Sequence, residues 1–138
     1  MEKIRDLLQA LQGITSGFKG SLVVKDVQGK YLYVNSIFAD RLGKKPEELI
    51  GMSASDFFSE EIIQKAKETD NLAYAKHKPI EFETKGSLLG EPFEGYVIKW
   101  PIYENWGRPF GVCFMSVARE EKESLMALRE KLNALFSS

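Results

Sequence analysis

Hydrophobic residues recur at helical spacing near both ends of the chain and alternate with polar ones between. Ile4, Leu7, Leu11 and Ile14 lie three or four apart, with Leu8 widening the stripe, which predicts a helix over 2–12. From Arg119 onward Leu125, Leu128, Leu132 and Leu135 repeat that spacing and predict a second helix. Its length, about two heptads, is short for an autonomous coiled coil. Between the ends, β-branched and aromatic runs predict five strands: 22–25, 31–34, 80–84, 93–103 and 110–117. In the fourth, Tyr96, Ile98, Trp100 and Ile102 share one face, while Val97 and Lys99 share the other. In the fifth, Val112 and Phe114 alternate with Cys113, Met115 and Val117. A sheet apolar on both faces must be covered on both.

The intervening elements carry start and stop signals. Asp26-Val-Gln-Gly29 has Asp and Gly where a type I turn favours them, joining the first two strands. Asn35 is placed to cap a short helix that ends near Gly43. Pro46 with Glu47 and Glu48 opens another, and Ser59 caps a longer one with Glu60 and Glu61 in its first turn. The inner face of that helix is expected to hold Ile62, Ile63, Ala66, Thr69 and Ala73.

In this order the signals resemble a PAS domain. Residues 21–35 resemble its opening hairpin and cap. Pro46-Glu-Glu-Leu-Ile-Gly51 and Ser55-Asp-Phe-Phe58 resemble its short helices, Lys78-Pro-Ile-Glu-Phe-Glu83 its third strand, and Lys99–Ile102 with Pro109–Val112 its last hairpin. Val117-Ala-Arg-Glu120 stands where such domains often end in Asp-Ile-Thr. The resemblance implies an α+β fold: a five-stranded antiparallel sheet with short helices on one face and flanking terminal helices. It divides the chain into an N-terminal helix (1–16), a sensor domain (17–118) and a C-terminal signalling helix (119–138). It also implies a sensory, non-enzymatic role: binding a small molecule or partner and relaying a change of shape to an effector. In bacterial relatives that effector is often a histidine kinase, a cyclic-dinucleotide enzyme or a transcription regulator. No such effector lies in these 138 residues, so it is expected in the same longer chain or in a partner.

Composition narrows the chemistry. A net charge of −1 gives no electrostatic reason for nucleic acid or anionic membrane binding. No apolar run is long enough to span a bilayer, and the single cysteine, Cys113, fits a reducing compartment, so a cytoplasmic location is expected. No covalent or metal cofactor is expected. His77 is set between two lysines at a helix end, away from where a haem-binding relative would place a ligand. Cys113 lies in a strand, without the Asn-Cys-Arg context of the flavin-binding members.

Two lysines stand out. Parity places Lys25 with Val23, and Lys99 with Val97, on the face that the resemblance turns toward a ligand pocket. A lysine in a half-buried strand needs a partner or must reach water, and Asp56, Asp70 and Glu81 are the acids to consider. Either a structural ion pair or a site for a small anion answers that need. The candidate ligand-binding set is Val23, Lys25, Val34, Phe38, Phe58, Asp70, Val97, Lys99, Phe114 and Ser116. A homodimer is expected through Ile4, Leu7, Leu11, Trp100, Leu125, Leu128, Leu132 and Leu135, because one sheet face is expected to take a single helix. Two rival readings are a ligand-free dimerisation spacer and a small enzyme using Asp56 with Asp70.

Overall fold

The structure, a computed structural model, describes residues 2–88 and 91–137. In chain order its elements are α1 (Glu2–Ile14), β1 (Ser21–Asp26), β2 (Tyr31–Val34), α2 (Ser36–Arg41), α3 (Pro46–Leu49), α4 (Glu60–Lys76), β3 (Ile80–Leu88), β4 (Glu91–Tyr103), β5 (Pro109–Ala118), α5 (Lys122–Met126) and α6 (Arg129–Ser137). The strands form one antiparallel sheet in the order β2-β1-β5-β4-β3.

Local chemistry accounts for the opening hairpin. Asp26 Oδ1 accepts from the amides of Gln28 and Lys30 at 2.9 and 3.0 Å, and Gly29 takes a φ of 85° that a side chain would oppose. Asn35 does more than cap α2. Its Oδ1 accepts from Phe38 N at 3.0 Å and Leu22 N at 3.1 Å, while its Nδ2 donates to Gly20 O at 2.9 Å. One side chain thus ties the helix start to the first strand. Asn35→Ala is therefore expected to cost about 2 kcal/mol, the upper end for a cap. A loss of about 1 kcal/mol or less in urea denaturation would mean that the bonds to Leu22 and Gly20 add nothing.

The alternation gives two cores. On the inner face Val23, Tyr31, Val34, Ala39 and Leu49 pack with Phe38, Phe57 and Phe114 beneath α2 and α3. On the outer face Leu22, Val24, Tyr96, Ile98, Trp100, Met115 and Val117 pack with Leu11, Leu125 and Leu132 from the terminal helices.

This outer layer corrects the expected dimer surface. Leu11, Leu125 and Leu132 are 0% exposed and Trp100 1% exposed within a single chain, and Leu7, Leu128 and Leu135 pack against the same cluster. Ile4 is half-buried at the edge. The expectation of room for one helix failed on arithmetic. Five strands spaced about 4.8 Å apart make a face about 19 Å wide, enough for two helices about 10 Å apart. The C-terminal segment is also not one helix. It breaks between Met126 and Arg129, so that α5 lies over β5 while α6 lies over β4 beside α1. Trp100 Nε1 donates to Asn133 Oδ1 at 2.7 Å, and the Trp100 ring packs on Phe136. β3 likewise runs to Leu88, beyond the expected Thr84.

Candidate functional site

A cavity of about 650 Å³ lies between the inner face of the sheet and the helices, within the range of small-molecule sites. Its floor is set by register. Ser21 on β1 faces Ser116 on β5, which faces Val97 on β4; the next row holds Val23, Phe114 and Lys99. Its walls are largely aromatic and aliphatic: Tyr31, Phe38, Phe57, Phe58, Ile62 and Phe82. Tyr31 meets Phe38 edge-on at 5.6 Å, and burial followed by the Asp56 charge pushes its phenol up to about 12, so it lines the cavity as a neutral hydroxyl.

At one end sits a charged triad. Asp70, on α4, accepts from Lys25 Nζ through Oδ2 and from Lys99 Nζ through Oδ1, both at 2.7 Å. Lys99 also donates to Thr69 Oγ1 at 2.8 Å and Ala66 O at 3.3 Å, and its amine lies 5.8 Å from the centre of the Phe114 ring. All three of its protons are thereby engaged. Lys25 has only the Asp70 contact among the described residues. Burial, reinforced by the Lys25 charge, pulls the Lys99 amine from its ordinary 10.5 down to about 8, and Asp70 opposes that shift. Two lysines against one carboxylate leave the end one positive charge in excess.

The rest of the wall has the same sign. Lys25, Arg41, Lys65, Lys85 and Lys99 line the cavity, and the acids beside them are Glu61 in the lining and Asp70 behind the two lysines, in a chain with 19 basic and 20 acidic residues. Lys85, largely exposed, is also 3.5 Å from Glu94. The imbalance is a property of the site and not of the composition.

A family model described as the PAS fold matches residues 18–123. This chain belongs to the PAS family. Solved structures agree on the fold. The PAS domain of BvgS from Bordetella pertussis is 20% identical, with a TM-score of 0.65, over 91% of this chain and 98% of that one. A sensory box sensor histidine kinase from Vibrio cholerae is 20% identical, with a TM-score of 0.62, over 84% of this chain and 92% of that one. A phage VqmA–DPO complex is 16% identical, with a TM-score of 0.70, over 95% of this chain and 62% of that one. No curated protein matches the sequence.

Of the residues singled out from the sequence of this PAS domain, Val23, Lys25, Phe38, Phe58, Val97, Lys99, Phe114 and Ser116 line the cavity, and Asp70 bridges its two lysines. Val34 does not line it; it is buried among the inner core residues under α2 and α3. Asp56 and Glu81 are excluded as lysine partners. Asp56 Oδ2 accepts from Ser53 N at 2.9 Å. Glu81 accepts from Tyr96 and Arg129 on the outer side. The Asp56–Asp70 pair that an acid–base enzyme would use is therefore not formed, since each carboxylate is engaged elsewhere. The cavity also counts against a fully packed spacer.

His77 ends α4 in a left-handed conformation and stacks on Tyr103 at 4.9 Å, outside the cavity lining. Cys113 is fully buried on the outer face, where burial pushes its thiol up. Among the described residues no His, Cys, Asp and Glu group is placed to hold a metal ion, and no helix is long and apolar enough to cross a membrane.

Ser21, Arg41, Lys65 and Phe57 were missed from sequence. Ser21 was legible by parity, two residues before Val23, but adjoins a glycine-rich stretch that reads as loop. Arg41 and Lys65 read as ordinary solvent-facing helix residues.

Proposed function

We propose that this PAS domain senses a small organic anion, held in the inner cavity, and reports its binding through α5 and α6 to an effector. The observation that carries the proposal is the uncompensated positive charge at the Lys25–Asp70–Lys99 end of a cavity with apolar walls. A ligand carboxylate on Lys25 would balance that charge and use the donors Asp70 leaves open. The apolar body of the ligand would meet Phe57, Ile62 and Phe82.

The relay follows from β4. Lys99 faces the cavity and Trp100, the next residue, faces the outer layer, where it holds Asn133 and Phe136 of α6. Arg129, at the start of α6, is held to Glu81 of β3 beside Tyr96 of β4. A shift of β4 at Lys99 is thus passed to the anchors of α6. Pairing of two copies through Leu125 and Leu132 belongs, in this reading, to a state in which α5 and α6 have left the sheet, because in the packed state those leucines are core. Relatives that are sensor kinases, or regulators solved with a small ligand, make the same role reasonable here.

Calorimetric titration with a panel of small carboxylates tests the proposal. Binding is expected for those with an apolar body, and Lys25→Met is expected to weaken it about ten- to a hundredfold, the worth of a charged hydrogen bond. Neutral isosteres binding as tightly as the acids would overturn it.

A further inference from the structure

The end of the cavity away from the triad holds a polar group that the anion reading leaves unexplained. Ser21 is 1% exposed, lines the cavity, and its Oγ finds no hydrogen-bond partner among the described residues. Ser116, 2% exposed, sits directly opposite it in the β1–β5 register and lines the same cavity. Directly opposed residues place their Cβ atoms about 5 Å apart, a gap that one ligand atom can bridge. The two hydroxyls are not bonded to each other. A buried hydroxyl without a partner is costly, and valine, as at Val23, would fill the position without that cost.

The geometry along β1 sets the spacing. Ser21, Val23 and Lys25 share the cavity face, and four residues of strand separate the serine from the lysine by about 13 Å. Between Ser21 and Lys25 the floor is Val23 with Phe114 opposite it, in the row that Lys99 completes, while Val97 continues the serine row. The sequence of the floor is therefore polar, apolar, cationic.

We infer that the ligand is bipolar: a carboxylate at one end, an apolar middle, and a hydroxyl, carbonyl or amide at the other end that bonds to Ser21 and Ser116. The inference rests on the anion reading above and adds the second recognition point. It makes Ser21 a specificity residue. A plain fatty carboxylate would satisfy Lys25 and leave the serine hydroxyl buried and unpaired. A molecule with a distal polar group would satisfy both.

Calorimetry on the whole chain with hexanoate, octanoate and decanoate, their ω-hydroxy forms, and ω-hydroxyoctanamide tests this. At the chain length that fits, the hydroxy acid is expected to bind about tenfold more tightly than the plain acid, the worth of one buried hydrogen bond. Ser21→Ala should erase that preference, read as the ratio of hydroxy-acid to plain-acid affinity within each protein, and Ser116→Ala provides a second variant with the same expected direction. Equal affinities for plain and hydroxy acids at every length, or a preference that survives both substitutions together, would overturn the inference and leave the anion reading standing. If the hydroxyamide binds as tightly as the hydroxy acid, the anion reading fails instead. Absence of binding by all of these probes overturns both.

Discussion

Asp70→Asn is expected to destabilise the fold by about 3–5 kcal/mol, whereas Lys99→Met is expected to change stability by only about 1 kcal/mol or less. The asymmetry comes from what each change leaves behind. Without the Asp70 carboxylate, Lys99, with a side chain 3% exposed, and Lys25, 13% exposed, face each other with no counter-charge. Without the Lys99 amine, Asp70 keeps Lys25 and Thr69 still donates to Lys65 O, so nothing charged is stranded. The pH dependence has a definite sign. The folded Lys99 amine loses its proton near 8, but the unfolded one keeps it to about 10.5. The burial cost of the charged form is therefore present below pH 8 and is relieved as pH rises from 8 to 10.5. Across that window wild type should gain stability relative to Lys99→Met. Urea denaturation of the three proteins measures both effects. Equal losses in the two variants at neutral pH would mean that the triad is solvated and contributes no specificity.

Leu132→Ala is expected to cost about 2–5 kcal/mol, because it opens a cavity between α6 and the outer face of the sheet. Leu132 is 0% exposed, and the neighbouring Asn133 and Phe136 both hold Trp100. Loosening α6 should therefore move Trp100 toward water, seen as a red shift in its fluorescence in a Trp106→Phe background that removes the fully exposed second tryptophan. If the leucine acts within one chain, the unfolding midpoint of wild type and variant will not depend on protein concentration. A midpoint that rises with concentration would show that Leu132 lies between copies, since subunit association shifts apparent stability by mass action.

Strand parity and local capping were enough to read much of this protein from its sequence. The alternation from Tyr96 to Ile102 fixed which side of β4 carries Lys99 and which carries Trp100, because a strand has a period of two whatever surrounds it. The Asn35 cap, the Ser59 start of α4 and the Asp26–Gly29 turn follow from hydrogen bonds between residues a few positions apart. What the tertiary structure decided was partnership at long range. Asp56, Asp70 and Glu81 are equivalent as sequence, and only the crossing of α4 over the sheet brings Asp70 to both lysines, 45 and 29 residues away along the chain. Whether the leucine stripes meet a second chain or their own sheet depended on the width of that sheet and on a break after Met126, where neither proline nor glycine marks the sequence. The lone hydroxyl of Ser21 became visible only once Ser116, 95 residues later, stood opposite it. Periodicity is set by bonds between near neighbours; contacts across the fold depend on the placement of whole elements, which no local pattern encodes.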